Sequence, residues 1–276
     1  MKYVDLHIHT YYSDGVDTPL QVIRASKMKG LDMIAIADHD NLRGYFRGLK
    51  EAKRLGIDLV PAVEITTIEH HLLALNFQPE DKRFKEYVEY SKDVHEEVCG
   101  QRVDLLKDYG VPINFDKVKT NFPSASLGKY SILWTMLMDD ECRKFIEEKN
   151  KGQGFQELFS FYLGRSGVAG KVPVKRAIKW GQTVYEVKRA GGLVIIPHPG
   201  KDFRLPSEIE WMLTKVDGVE LQPRFKKEAL PFIEYAKEKG KIITYGSYYH
   251  STYGSSQILS KGENCIEDAL ANQLRR

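Results

Sequence analysis

Short apolar segments alternate with amphipathic segments through the first part of the chain. The apolar segments Tyr3–Ile8, Asp32–Ala37 and Leu59–Glu64 predict three strands, and His71–Phe77 predicts a fourth. After the first strand, Thr18-Pro19 predicts a helix start, because a hydroxyl at the N-cap and a proline in the first turn are both favoured there. Such an alternation is typical of βα units, which build either a barrel or a doubly wound sheet.

The alternation stops between residues 79 and 170, where the chain is charged and typical of helices. The clearest predicted helices there are Glu80–Tyr109, Leu127–Lys149 and Phe155–Leu163. Three more predicted strands follow, at Leu193–His198, Val216–Leu221 and Lys241–Ser247. We therefore predict an α/β domain formed by residues 1–78 and 171–276, interrupted by a helical insertion or cap at residues 79–170.

Composition and charge limit the classes of function. The chain has 276 residues and a net charge of +3, which argues against bulk electrostatic binding of long nucleic acid. Its three cysteines, Cys99, Cys142 and Cys265, are far apart and suit a reducing compartment rather than a disulfide framework. The sequence shows no signal peptide and no long apolar segment, so we expect a cytoplasmic protein without a membrane partner.

Side chains able to bind metal gather where the predicted strands end. They are His7, His9, His39, Glu64, His198 and His250. In a parallel barrel the carboxyl ends of all strands open on one face, so these residues would converge there. His7 and His9 also point to the same side of their strand, and Asp14 follows in the next turn. A single histidine is more often an ordinary surface or core residue, so the prediction depends on the whole set.

Five segments of the chain, in order, resemble the motifs of the polymerase-and-histidinol-phosphatase (PHP) family. They are Asp5-Leu6-His7-Ile8-His9-Thr10 with Ser13-Asp14-Gly15, Ile36-Ala37-Asp38-His39-Asp40, Pro61-Ala62-Val63-Glu64-Ile65-Thr66 with His71, Gly191-Gly192 through His198-Pro199-Gly200, and Gly246-Ser247-Tyr248-Tyr249-His250. The resemblance is strongest to the stand-alone bacterial, TrpH-like branch of metal-dependent phosphoesterases. Members of that branch hydrolyse nucleotide 3′,5′-bisphosphates or short oligonucleotides.

This resemblance implies a distorted (β/α)₇ barrel that holds two or three divalent metal ions. By the family pattern, His7 and His9 bind one metal, and Glu64 bridges it to a second metal. By the same pattern, His71 and His198 complete the coordination of the second metal. A third metal is bound by Asp14, His39 and His250. Mixed histidine and carboxylate ligands suit Mn, Fe or Zn. The predicted activity is hydrolysis of a small, nucleotide-like phosphate ester by a metal-bound hydroxide, with Glu64 and His198 as catalytic residues.

The sequence departs from the family pattern at three positions. Tyr248 stands where the last motif usually carries an aspartate. Lys129 and Ser131 stand where the insertion often carries an arginine and a histidine, and a serine cannot do the acid–base work of a histidine. Lys129, Lys171 and Lys201 are the predicted phosphate contacts, although surface lysines are more often simply solvated. Two alternatives therefore stay open, a histidinol-phosphate-type phosphatase and a metal-binding pseudoenzyme that has lost activity.

Overall fold

The computed structural model describes residues 1–173, 176–251, 257–262 and 264–275. The strands are β1 (Lys2–Ile8), β2 (Met33–Ile36), β3 (Asp58–Val60), β4 (Ala62–Ile65), β5 (Leu72–Leu75), β6 (Leu193–Ile196), β7 (Gly218–Leu221), β8 (Ile242–Tyr245) and β9 (Cys265–Ile266). The helices are α1 (Pro19–Met28), α2 (Arg43–Leu55), α3 (Lys82–Asp108), α4 (Phe115–Asn121), α5 (Lys129–Met138), α6 (Asp140–Lys149), α7 (Phe155–Leu163), α8 (Trp180–Arg189), α9 (Pro199–Asp202), α10 (Glu210–Leu213), α11 (Lys226–Glu238) and α12 (Asp268–Gln273). Short 3₁₀ helices lie at Pro206–Ile209 and Pro223–Phe225.

The strands form two sheets. One sheet has the order β3-β2-β1-β9, in which the first three strands are parallel and β9 is antiparallel to β1. The other has the order β4-β5-β6-β7-β8, in which β6, β7 and β8 are parallel and β5 runs antiparallel to both of its neighbours. The predicted mixed α/β fold is confirmed, whereas the described strands do not close into a barrel.

One predicted strand is in fact two. The segment Leu59–Glu64 divides at Pro61 into β3 and β4, which pair with β2 and β5 in different sheets. Proline has no N–H to donate to a strand ladder, so it favours a break at this position. The single strand predicted from the apolar pattern was therefore wrong, and the break lets the chain pass from one sheet to the other.

The ends of the first two helices follow from local sequence. At the start of α1, the Thr18 side chain accepts a hydrogen bond from the Gln21 N–H, and the Gln21 side chain accepts one from the Thr18 N–H. This capping box confirms the predicted helix start. Helix α2 ends at Gly56, whose φ of 61° lies in the left-handed region that glycine adopts without a steric penalty. These two helices pack against each other.

The chain divides into two compact units. The first comprises Met1–Ser91 and Ile178–Arg276, and the second comprises Lys92–Ala177. The core of the first unit is formed by strand residues such as Val4, Leu6, Met33, Leu73 and Ile195. The core of the second unit is helical and includes Val103, Leu106, Ile132, Met136 and Tyr162. The predicted insertion at residues 79–170 stays a prediction as a domain. Among the described residues, no helix has the length and apolarity needed to span a membrane.

Candidate metal centre

Strand β1 brings two histidines to one point. His7 lies in β1 and His9 follows its end, so their side chains face the same way. Their Nε2 atoms are 3.1 Å apart, and both residues are fully buried. The pairing predicted from the His-x-His spacing is therefore present.

One carboxylate oxygen of Glu64 lies close to three imidazoles. Glu64 lies in β4 and is fully buried. Its Oε2 atom is 3.1 Å from His7 Nε2 and 3.2 Å from His9 Nε2. The same oxygen is 3.4 Å from Nε2 of His39, which follows β2. A single carboxylate oxygen thus has three imidazole nitrogens around it, which is typical of a bridging metal ligand.

The other oxygen of Glu64 meets two more histidines. Its Oε1 atom is 3.0 Å from His71 Nδ1 and 2.9 Å from His198 Nε2. His71 had an uncertain place in the sequence because it begins its strand instead of ending it. Since β5 runs antiparallel to β4 and β6, its start lies beside the ends of those strands. The reversed strand therefore brings His71 to the same point as the histidines that end theirs.

Asp14 lies close to three of the histidines. Its Oδ2 atom is 3.2 Å from His250 Nε2 and 3.8 Å from His39 Nε2, and its Oδ1 atom is 3.4 Å from His9 Nδ1. The Nδ1 atom of His250 donates to the backbone oxygen of Tyr248 at 2.8 Å. That hydrogen bond fixes the ring and directs Nε2 towards Asp14. All eight predicted metal-ligating residues therefore lie in one connected group.

Two carboxylates that sequence reasoning missed hold the histidines in place. Glu220, in β7, is fully buried, and its Oε1 atom is 2.9 Å from His7 Nδ1. Its Oε2 atom accepts a hydrogen bond from the His198 N–H at 2.9 Å. Asp202 lies 2.9 Å from His198 Nδ1. Carboxylates of this kind fix the orientation of metal-binding imidazoles and increase their basicity.

A signal for Glu220 was present in the sequence. A single charged residue inside the apolar segment Val219-Glu220-Leu221 is unusual, because glutamate is almost never fully buried without a partner. Asp202 follows His198 by four residues and gave no comparable signal.

Neighbouring charges separate the pKa values of the first two histidines. Burial lowers the pKa of His7, but the carboxylates of Glu220 and Glu64 together outweigh burial and raise it to about 10. Burial, together with the charge of His250, lowers the pKa of His9 to about 4, although Asp14 and Glu64 oppose that shift. At neutral pH His9 is therefore neutral in the metal-free protein, whereas His7 carries a proton that it would have to release before it could bind a metal.

The spacing of the ligand atoms fits a metal ion. The His7 Nε2, His9 Nε2 and Glu64 Oε2 atoms are 3.1, 3.1 and 3.2 Å from one another. Tetrahedral coordination with bonds of about 2.0–2.1 Å has edges of roughly 3.3–3.4 Å. Among the described residues, three overlapping groups have ligand atoms within 4.8 Å of one another: His7, His9 and Glu64; His9, Asp14 and His39; and His39, Glu64 and His71. The site can therefore hold metal.

The three predicted phosphate contacts fall in both units. Lys201 follows His198 in α9, and its Nζ atom lies 3.2 Å from Tyr248 Oη. Lys129 begins α5 in the second unit, where burial and the nearby Arg102 lower its pKa to about 8. Lys171 is exposed in the same unit. The substrate-binding role of the three lysines stays a prediction.

The model of the PHP domain family matches residues 5–123 of the chain. The family resemblance inferred from the motifs is thus confirmed. A 5'-3' exoribonuclease of Haemophilus influenzae is 27% identical and covers 92% of each chain. A 3',5'-nucleoside bisphosphate phosphatase of Chromobacterium violaceum is 23% identical and covers 73% of this chain and 68% of its own length. A solved structure from Bifidobacterium adolescentis, described as a candidate metal-dependent phosphoesterase, has a TM-score of 0.73 at 20% identity. It covers 98% of this chain and 94% of its own, and shows a shared fold.

Proposed function

We propose that this PHP-domain protein is a metal-dependent phosphoesterase that hydrolyses a nucleotide-like phosphate ester. The observation that carries the proposal is the position of Glu64, whose two oxygens contact five imidazoles within 3.4 Å. A bridging carboxylate of this kind suits a pair of adjacent metal ions, which is the usual arrangement for phosphoester hydrolysis.

The metal ligands form three proposed sets. His7, His9 and Glu64 would hold the first ion, and Glu64, His71 and His198 would hold the second. Asp14, His39 and His250 would hold a third ion. Nitrogen and oxygen donors in this mixture suit Mn, Fe or Zn, so we propose two or three of these ions per chain.

When bound by these residues, such ions would supply a hydroxide at neutral pH and would neutralise charge on the phosphoryl oxygens. The chain's own residues fix where this happens. Glu64 keeps the ligand sets of the first two ions together. The Asp202 carboxylate lies 2.9 Å from His198 Nδ1, and Glu220 accepts a hydrogen bond from the His198 backbone N–H at 2.9 Å. We therefore assign Glu64 and His198 the catalytic role.

The two sheets correspond, in this proposal, to a distorted (β/α)₇ barrel with the cluster at its mouth. Isolated parallel backbone bridges join Ile8 to Tyr249 and His39 to Glu64. Each bridge joins residues of different sheets or their extensions, and each lies directly beside the cluster. These two bridges support a barrel-like arrangement at the cluster, although the described strands do not form a closed barrel.

The substrate is proposed to be a mononucleotide bisphosphate or the 5′ end of an RNA. The names of the two sequence relatives support these classes. The prediction that the protein does not bind long nucleic acid is then limited to extended binding along a strand. An enzyme that acts at the end of an RNA has to bind only a short segment of it. The near-neutral charge of +3 agrees with such limited contact.

A substrate panel tests the proposal. The Mn-loaded protein should be assayed with adenosine 3′,5′-bisphosphate, a 5′-phosphorylated RNA oligonucleotide and histidinol phosphate, and the products identified by mass spectrometry. We expect release of phosphate or mononucleotides from the first two substrates. Hydrolysis of histidinol phosphate alone would favour the alternative phosphatase. Tight metal binding without any turnover would refute the proposal and favour a pseudoenzyme.

The panel needs two variants as controls. Glu64→Gln should lose the activity. Glu186→Gln should keep it, because Glu186 is a buried glutamate of α8 that pairs with Arg83 and Arg189 instead of the histidines.

A further inference from the structure

Asp38 is a buried carboxylate that the proposed metal sets do not use. It lies just after β2 and is fully buried. Its Oδ1 atom accepts hydrogen bonds from the Thr10 N–H at 2.7 Å and from the Ser13 hydroxyl at 2.8 Å. Its Oδ2 atom accepts from the Thr10 hydroxyl at 2.7 Å. Both oxygens therefore hold the turn that follows β1 and carries Asp14.

Two glycines leave room for this turn and for the carboxylate that holds it. A Cβ atom at Gly44, in α2, would overlap Asp38 Oδ2. A Cβ atom at Gly15 would lie 2.7 Å from the backbone carbonyl of His9. The Gly15 N–H also donates to the Thr10 backbone oxygen at 3.0 Å. A side chain at either glycine would thus displace the carboxylate or the turn.

The hydroxyl group of Ser13 lies between Asp38 and His9. Its Oγ atom is 2.8 Å from Asp38 Oδ1 and 3.3 Å from both Asp14 Oδ1 and His9 Nδ1. A serine hydroxyl has one hydrogen to donate and two lone pairs that accept. The shortest contact takes the hydrogen, so Ser13 donates to Asp38 and presents a lone pair to His9.

An acceptor at Nδ1 determines how His9 faces the cluster. When Nδ1 carries the hydrogen, the lone pair of the neutral ring is on Nε2. That atom lies 3.1 Å from His7 Nε2 and 3.2 Å from Glu64 Oε2. Asp14 Oδ1 is also 3.4 Å from His9 Nδ1. Since Asp14 is itself a proposed ligand of the third ion, Ser13 is the acceptor that metal binding would leave in place.

We infer that Ser13, anchored by Asp38, is a positioning residue that holds the His9 imidazole with Nε2 towards the first metal ion. This inference rests on the proposed function, because it needs the proposed ligand set of that ion. His7 has a carboxylate at its Nδ1 atom, whereas the carboxylate that serves His9 acts through a serine. Groups that accept from a metal-binding imidazole fix its orientation and increase its basicity.

Mn²⁺ affinity and an NMR signal together test the inference in Ser13→Ala, which removes only the hydroxyl. The affinity, measured by competition with a chelator, should fall by about tenfold, at the lower end of the effect of groups that support metal-binding histidines. The NMR signal is that of the His9 Nδ1–H in the Zn-loaded protein, assigned by its absence in His9→Gln. This hydrogen should exchange with water faster in Ser13→Ala than in wild type. A general loss of stability would not single out one imidazole hydrogen.

Asp38→Asn is a second variant, which keeps the shape of the side chain and removes its charge. Without the charge, the hydrogen of the Ser13 hydroxyl is no longer fixed on Asp38. The His9 Nδ1–H should therefore exchange faster than in wild type, while the loss of Mn²⁺ affinity should be smaller than in Ser13→Ala. If Ser13→Ala does not fold, this comparison decides the inference.

A second buried serine of the same unit is the matched control. Ser26 lies in α1, is fully buried, and donates from its hydroxyl to the Val22 backbone oxygen at 2.8 Å. Ser26→Ala should keep both the Mn²⁺ affinity and the His9 signal of wild type.

The inference is overturned if Ser13→Ala binds Mn²⁺ as tightly as wild type, if its His9 signal is unchanged, or if Ser26→Ala loses as much affinity. In these cases wild-type protein that binds Mn²⁺ still supports the proposed metal centre. Wild-type protein that binds no Mn²⁺ refutes both. If both readouts change as expected but no substrate of the panel is hydrolysed, the role of Ser13 is supported and the proposed enzymatic function is refuted.

Discussion

Replacing Glu220 by glutamine should weaken metal binding while preserving the shape of the site. In the wild-type protein, one oxygen of Glu220 contacts His7 Nδ1 and the other accepts from the His198 N–H, both at 2.9 Å. Glutamine keeps one acceptor, so its amide nitrogen must face one of these two donors. The substitution therefore loses one of the two contacts and all of the negative charge behind His7.

The magnitude follows from the position of Glu220 behind the ligands. Carboxylates that support metal-binding histidines contribute about 10- to 100-fold in metal affinity, which corresponds to about 1.4–2.8 kcal/mol. The charge of Glu220 also helps to raise the pKa of His7 to about 10. In Glu220→Gln the pKa of His7 should be lower, so protons compete less with the metal, and near neutral pH this offsets part of the lost affinity. As the pH rises towards 10, protons stop competing in wild type as well. The difference in metal affinity between the two proteins should therefore grow with pH.

The assay is Mn²⁺ affinity, measured by competition with a chelator at several pH values, for wild type, Glu220→Gln and Glu186→Gln. The last variant removes a buried glutamate that pairs with arginines, and its metal affinity should match wild type. Equal affinities for wild type and Glu220→Gln across this pH range would refute the role of Glu220 and, with it, the assignment of His7 as a ligand.

Three further predictions concern protons and space. Binding of the first metal at neutral pH should release about one proton from His7, seen as a dependence of the calorimetric heat on buffer ionisation enthalpy; no release would count against His7 as a ligand. Burial raises the pKa of Asp14, but the surrounding histidine charges outweigh it and hold that pKa well below its usual range. The Asp14 carboxylate therefore stabilises the metal-free fold fully above its unfolded-state pKa near 4, and this stabilisation is lost as the pH falls from there through the lower folded-state pKa. In acid denaturation curves, Asp14→Asn should lose less of its free energy of unfolding over this pH range than wild type. Gly246→Ala should lower metal content and melting temperature, because the added Cβ would overlap the Glu220 carboxylate and His7 Cβ. Gly181→Ala, in α8 with open space around it, should keep the metal content and should not lower the melting temperature, because alanine is the better helix former.

The position of the cluster could be predicted from sequence because parallel strands share one end. His7, His9, Glu64 and His198 each lie at the end of an apolar segment, and this rule alone places them close together. The family resemblance added His71, whose strand begins where the others end. Its place depends on β5 running antiparallel, which no local pattern in the sequence reveals.

The remaining features depend on contacts between residues far apart in the chain. Glu220 supports His7 across 213 positions, and β9 pairs with β1 from the opposite end of the sequence. The sequence showed that Tyr248 replaces a carboxylate. It did not show that the phenol would point to Lys201, because that direction depends on a left-handed backbone and on four surrounding imidazoles.

The central claim is that the strand-end histidines and Glu64 hold divalent metal ions. Anomalous X-ray scattering from crystals of the Mn-loaded protein tests it most directly. We predict a peak at coordination distance from His7 Nε2, His9 Nε2 and Glu64 Oε2, and a second peak between Glu64 Oε1, His71 and His198. The account would be contradicted if the imidazoles remained in direct contact with Glu64 while Mn bound only at other places in the crystal, or did not bind at all.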